Sequence, residues 1–383
     1  MSDLPAMVNK KRLIRNLQKL ISIDSQNPPG DESAIARYVG KYFKDLGLDV
    51  REYEFEKKRV NLIATLKGKE SRKKLLLSPH LDTVPAGISW KYPAFSGKIT
   101  AGKIYGLGAT DCKGNLASGM EAIHSLVENR TRLNYDLVFA ATADEESGSS
   151  LGLIPLLKKR ILHADAALIL DADDFEIVIT QKGLMHLKVR IKGKKAHGAY
   201  PWLGSNAIDT AAKIILDLKK VTKTSLSNKY LHGPTVNVGT IKGGDKVNVV
   251  SDWCEFELDF RFLPGQSHET ILKNLKNTIL RYTKNYKIEI NGIQNPYYIE
   301  PQHPLVSSLA LAMRKLKINP RISGSEGATV ITFFKERNIP AIATGFGNEG
   351  CAQMADEYAK VGSLYKGALV LEEFLKGEKL WNR

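Results

Sequence analysis

Apolar residues recur at helical spacing from Val8 to Leu20, with Leu13, Leu17 and Leu20 on one stripe and Ile14 and Ile21 beside it. Asn27-Pro28-Pro29-Gly30 reads as a turn. Asp31 is then expected to cap a helix that runs to about Leu46 and stops at Gly47. Strand-like runs follow at Val60–Leu66, Lys74–Leu77, Leu137–Thr142 and Ala166–Leu170, with helical patterns at Asn115–Glu128 and Leu151–Lys159. Strands alternating with helices predict an α/β domain with a mostly parallel sheet flanked by helices. After Gln181 the rhythm changes. Gly183–Lys192, Thr235–Ile241, Trp253–Phe262 and Tyr286–Ile290 alternate or read as strands, and helices are expected at Asn206–Lys220 and His268–Tyr282. This β-α-β-β-α-β order predicts an inserted ferredoxin-like α+β domain. From about Gly292 the first rhythm resumes, with helices at Pro304–Leu316, Ala328–Glu336 and Ser363–Leu375 and a strand at Ala341–Thr344. The expected plan is a catalytic domain in two parts, 1–180 and 293–383, interrupted by a domain at 181–292.

Composition narrows the classes. A chain of 383 residues exceeds what one core usually serves. No apolar run reaches the ~18–20 residues of a membrane span, and Met1 to Leu20 is too mixed and charged for a signal peptide. Three scattered cysteines, Cys112, Cys254 and Cys351, make no disulfide framework and fit a reducing cytoplasm. The net charge of +15 raises nucleic acid as a partner. The basic residues are dispersed, however, with no aromatic interleaving, zinc-finger spacing or glycine-rich phosphate loop. The expected reading is a lysine-rich surface that attracts small anions, with neither a nucleic-acid nor a membrane partner.

The chemistry is carried by four places. Ser78-Pro79-His80-Leu81-Asp82-Thr83-Val84-Pro85 sets an imidazole two residues before a carboxylate, so Asp82 is expected to hold the second ring nitrogen of a metal-binding His80. Asp111 lies in the glycine-rich run Gly106 to Gly114. Asp144-Glu145-Glu146 follows one predicted strand and Asp171 another. All four are expected at the carboxyl ends of strands, where open α/β sheets bind ligands. Carboxylates and an imidazole suit a pair of divalent ions, and a free carboxylate beside them suits a general base.

In these motifs the chain resembles the M20 family of metallopeptidases and deacylases, which includes acetylornithine deacetylase, succinyl-diaminopimelate desuccinylase, glutamate carboxypeptidase and carnosine dipeptidase. The resemblance covers nearly the whole chain. It implies metal ligands His80, Asp111, Glu146 and Asp171, with Asp111 bridging two ions, although Asp173 and Asp174 leave the register of the last ligand open. It implies Glu145 as the base that takes a proton from a metal-activated water. Lys195-Ala196-His197-Gly198 resembles the lid signature, whose histidine stabilises an oxyanion in the partner subunit of a homodimer. Asp259-Phe260-Arg261-Phe262 resembles the strand whose arginine meets a substrate carboxylate. Asn248 is a further polar contact. Gly324-Ser325-Glu326-Gly327-Ala328-Thr329 resembles a glycine-rich turn that presents helix amides to an anion.

One position departs from the pattern. Gln353 stands where the family has its last metal histidine, ahead of Glu357-Tyr358, and no histidine follows His303. The expected centre therefore holds one or two ions, zinc with cobalt or manganese as alternatives. The ion near Glu146 is expected to be weak, absent or held by a substitute such as Glu349 or Cys351. The implied function is cleavage of a peptide or N-acyl amide bond beside a carboxylate-bearing amino acid, in a dipeptide or N-acyl amino acid. The alternative, raised by Gln353, is a catalytically impaired member that binds a small ligand or partner.

Overall fold

The structure is a computed structural model that describes residues 8–70, 72–377 and 380–381. The first seven residues of the charged N-terminal stretch lie outside them. The chain forms two compact units. One comprises Met1–Ile179, Ile299–Ser323 and Phe333–Arg383, the other Thr180–Tyr298 and Gly324–Thr332.

The first unit is built on a sheet whose centre is parallel. Strands Asp136–Ala141, Lys74–Ser78, Ala166–Ile169 and Ala341–Ala343 lie side by side in that order. Antiparallel strands extend it on one flank through Val60–Leu66 and Asp49–Glu54 and on the other through Glu176–Gln181. The central strands are buried along nearly their whole length, as continuous apolar runs covered on both faces should be. Helices Lys10–Ile21, Lys113–Glu128 and Val361–Leu375 pack against one another. Lys113–Glu128 comes so close to the sheet that a Cβ on Gly119 would lie 2.9 Å from Phe139 and 3.0 Å from Leu170.

The first helix buries Leu13, Leu17, Leu20 and Ile21, the stripe its spacing predicts, and Asn9 caps it by accepting from the Lys11 and Arg12 amides. The second differs from expectation. Helix Ser33–Asp45 has Glu32, not Asp31, at its N-cap, and no side-chain cap bond. Asp31 accepts from the Ser33 amide at 3.2 Å and pairs with Lys58 Nζ at 2.9 Å. The Glu32 carboxylate instead takes both arms of the buried Arg59 guanidinium, each at 2.8 Å. A charge-assisted pair of bonds outweighs one amide bond.

The second unit is an antiparallel sheet in the order Thr235–Gly243, Trp253–Phe262, Gly183–Lys192, Tyr286–Gln294. Helices Ala207–Asp217 and His268–Leu280 cover one face, giving the ferredoxin-like two-layer arrangement. Strand parity places Met185, Leu187, Val189 and Ile191, with Phe256, Leu258, Phe260 and Phe262, against Ala211, Ile214, Leu275 and Ile279 of the helices. The intervening residues are His186, Lys188 and Arg190 on one strand and Glu257, Asp259 and Arg261 on the other. No described helix is long and apolar enough to cross a membrane.

Candidate metal centre

The centre lies in the first unit. Two neighbouring strands extend past their ends as an irregular ladder. His80 bridges Thr142 in parallel, the Leu81 amide donates to the Thr142 carbonyl at 2.8 Å, and the Thr142 amide donates to the Pro79 carbonyl at 3.1 Å. This pairing brings the segment after Lys74–Ser78 beside the segment after Asp136–Ala141.

His80 is 2 % exposed. Its Nε2 lies 2.9 Å from Asp111 Oδ1 and 3.9 Å from Asp171 Oδ1. Its Nδ1 lies 3.0 Å from the backbone carbonyl of Asp82, and the Asp82 carboxylate is farther, at 3.6 Å. A carbonyl only accepts, so Nδ1 carries the hydrogen and the ligating lone pair belongs to Nε2. The expected carboxylate–imidazole bond is therefore made chiefly by the main chain of Asp82.

The Asp82 side chain has another task. Its Oδ1 accepts the Glu145 amide and its Oδ2 the Glu146 amide, both at 3.1 Å, and Asn27 Nδ2 donates to Oδ2 at 2.9 Å. Asp82 thus holds the turn that carries both glutamates. Asp144 sits at that turn with φ +63°, a left-handed conformation that aspartate adopts more readily than most residues. It is buried and structural: it accepts from Arg59 at 3.1 Å, the Leu151 amide at 2.9 Å and Ser150 Oγ at 3.1 Å.

Asp111 does not end a strand of the main sheet, contrary to expectation. It lies in the loop between strand Lys103–Tyr105 and helix Lys113–Glu128. Buried Glu357 shapes that loop by accepting the amides of Gly108, Thr110 and Asp111 at 3.0, 2.8 and 3.0 Å. Asp171 does follow a strand, Ala166–Ile169.

Two sets of ligand atoms come within 4.8 Å of one another: His80 with Glu145 and Asp171, and His80 with Asp111 and Glu146. Asp171 thus reaches the centre. Asp173 and Asp174 belong to neither set; Asp174 accepts the Glu349 amide at 3.1 Å. The clustered carboxylates have few donors. Burial and then repulsion by Asp171 raise Glu145 well above the usual carboxylate range. Burial, with Asp111 the strongest repelling charge, pushes Glu146 up to about 8 and Asp171 to about 6. Glu146 Oε1 is buried with no hydrogen-bond partner among the described residues. Crowded carboxylates, one imidazole lone pair and an unpartnered buried oxygen fit a divalent cation.

Gln353 is also here. Its Nε2 donates to Glu146 Oε2 at 3.0 Å and to Asp111 Oδ2 at 3.3 Å. Neither expected substitute joins a metal-capable set: Cys351 is absent from both, as is Glu349, whose carboxylate lies 3.5 Å from Arg321.

The remaining candidates belong to the second unit. His197 is exposed, and its Nδ1 accepts the Ala199 amide at 3.1 Å. Arg261 forks onto Asp259 at 2.7 and 2.9 Å. Asn248 is exposed, and its carbonyl accepts the Gly198 amide at 2.8 Å. Gly324 and Ser325 close strand Arg321–Ser325, and the helix expected from Ala328 spans only Ile331–Lys335. Their amides therefore do not form its N-terminus. Thr329 is held instead by Gln181 Oε1, at 3.0 Å to its amide and 2.7 Å to its hydroxyl.

Residues 76–377 match the model of peptidase family M20/M25/M40. The chain is 26% identical over 370 residues to succinyl-diaminopimelate desuccinylase of Orientia tsutsugamushi (strain Ikeda), covering 94% of each chain. It is 29% identical over 366 residues to acetylornithine deacetylase of Aliivibrio salmonicida (strain LFI1238), covering 91% of this chain and 93% of the relative. The crystal structure of a tripeptidase from Staphylococcus aureus superposes with a TM-score of 0.81 at 27% identity, covering 97% of this chain and 98% of that one. With the match spanning most of its length, this chain belongs to peptidase family M20/M25/M40, a family of hydrolytic enzymes.

Proposed function

We propose that the protein is a metal-dependent amidohydrolase that cleaves a peptide or N-acyl amide bond beside a carboxylate-bearing amino acid. The observation that carries this reading is the convergence of His80, Asp111, Glu145, Glu146 and Asp171, with Glu146 Oε1 left without a partner among the described residues. Bound divalent ions, zinc in the first instance, would polarise the scissile carbonyl and the attacking water. His80, Asp111, Glu146 and Asp171 would hold them. Glu145 takes the proton of the attacking water and delivers it to the leaving amine. Asp82 fixes Glu145 and Glu146 through their amides. The names of the relatives support the bond type: a desuccinylase and a deacetylase remove acyl groups, and a tripeptidase cuts peptides.

The substrate side of the reading follows the family resemblance. Arg261 exchanges Asp259 for the substrate carboxylate, and His197 stabilises the oxyanion of the neighbouring subunit in a cytoplasmic homodimer formed through residues 181–292. Asn248, Gly324 and Ser325 supply polar contacts. The catalytic domain comprises 1–180 and 293–383. The test is a hydrolysis screen over N-acyl amino acids and dipeptides with zinc, cobalt or manganese supplied. Glu145→Gln should lower kcat by about 10²–10⁴-fold, the usual range for a general base, while metal content stays near wild type. Unchanged turnover would remove Glu145 from this role. No hydrolysis with any metal would favour the ligand-binding alternative.

A further inference from the structure

We propose that the metal centre is chemically divided. One position is served by the imidazole of His80. The other is served only by oxygen, from Glu146, Asp111 and the carboxamide of Gln353. The second position therefore binds zinc more weakly and discriminates less between zinc and manganese. This rests on reading the centre as a metal site.

The argument starts from a shared ligand. Both metal-capable sets contain His80, and neither contains another histidine or a cysteine among the described residues. With Nδ1 donating to the Asp82 carbonyl, His80 has one lone pair, on Nε2. One lone pair serves one ion. If two ions bind, the other must take its donors from the Glu146 side. There the neutral side chain within reach is Gln353, whose Nε2 donates to Glu146 Oε2 and Asp111 Oδ2. An amide nitrogen that carries two hydrogens is no metal ligand, but turning the carboxamide over exchanges it for Oε1. Carboxylate and carbonyl oxygens suit magnesium and manganese, whereas imidazole favours zinc. Gln353 thus has two alternative states. It ties two carboxylates together through Nε2, or it offers a carbonyl oxygen next to the unpartnered Glu146 Oε1. Loading the second position must first break the two hydrogen bonds.

The test compares the full-length protein with Gln353→His and Gln353→Leu. Each is stripped with a chelator, checked for folding by circular dichroism, loaded with zinc or manganese and passed through a desalting column. Retained metal is then measured by mass spectrometry and binding by calorimetry. Wild type should retain a single zinc and show the second only in titration, with a smaller zinc-over-manganese preference than the first. Gln353→His should retain two. Its second zinc should tighten by more than the ~10-fold that loss of an outer-shell partner typically costs a metal site. Gln353→Leu should keep the first zinc and weaken the second. Two equally tight zinc ions in wild type, or a second affinity unmoved in Gln353→His, would overturn the division while leaving the metal reading intact. No zinc bound by either the wild type or Gln353→His would instead sink the metal reading itself.

Discussion

Charged residues crowd together in both units, with opposite outcomes. On the open sheet face of the second unit, Lys188 lies 3.4 Å from Glu255 and 3.3 Å from Glu257. Arg190 reaches Glu255 at 2.5 Å and Glu289 at 3.2 Å. Hydrogen bonds hold these carboxylates below their ordinary range, chiefly from Arg190 for Glu255, Thr240 for Glu257 and Lys287 for Glu289. In the first unit Glu145, Glu146 and Asp171 are raised, chiefly by burial. Strand parity puts the first group on a partly exposed face beside cations. Loops at strand ends gather the second group with His80 as the titratable base nearest to them. Four clustered carboxylates outnumber the one imidazole beside them, and the excess negative charge calls for an external cation. The first unit also contains the opposite solution. Arg59 is buried with Glu32 and Asp144, at 2.8 and 3.1 Å, so the fold can supply a cation where it needs a rigid turn.

The most damaging way to break this contrast is to remove that cation. Arg59→Ala should cost about 3–5 kcal/mol, the usual result of leaving buried carboxylates without their partner. Chemical denaturation should show it as a lowered midpoint. A loss within about 0.5 kcal/mol, typical of an ordinary surface site, would mean that Glu32 and Asp144 need no counter-charge and that the contrast is false. Asp82→Ala should act more locally. It frees the amides of Glu145 and Glu146 and should lower metal affinity by about 10–100-fold, as outer-shell losses do. Calorimetry on the folded variant checks this, and wild-type affinity would show that the turn keeps its shape without Asp82.

The same contrast explains what could be read from the sequence. The central strands of the first unit and strands Gly183–Lys192 and Trp253–Phe262 carry buried, regular patterns, and Thr235–Gly243 and Tyr286–Gln294, though exposed or half-buried, still show apolar–polar alternation, so their existence and order were legible. Strand Asp49–Glu54 was not, because four of its six residues are charged and only Val50 and Tyr53 could mark an apolar face. The sheet of Lys98–Thr100, Lys103–Tyr105 and Tyr358–Lys360 was not, because three-residue strands are too short to show a period. In the centre, His80, Asp111, Glu145, Glu146 and Asp171 stood out as chemistry-bearing residues at predicted loop positions. Their supports did not. Glu357 shapes the loop of Asp111, Asn27 holds Asp82, and Arg59 anchors Glu32 and Asp144 through bonds between residues far apart in the chain. Nothing local to Asn27 or Arg59 announces such a bond. The role of Asp82 was half legible: spacing pointed to His80, whereas its carboxylate chiefly serves the two glutamate amides.

The smallest expected effect is the sharpest check on the contrast. Lys188 projects from strand Gly183–Lys192 toward two glutamates of the neighbouring strand. The three side chains are partly exposed, so water reaches each charge and the ion pairs compete with hydration. The helix-facing side of this strand, not its charged side, buries the core residues Leu187 and Val189. Lys188→Met should therefore leave the melting temperature within measurement error of wild type at low and high salt alike, with metal content unchanged. Glu257→Gln in the same background should add little, because its cation is already gone and a glutamine oxygen can still accept from Thr240 Oγ1. A melting-temperature loss comparable to that of Arg59→Ala would show that the open face depends on its ion pairs as the buried turn does. The two units would then differ in where their charges lie, not in how much the fold relies on pairing them.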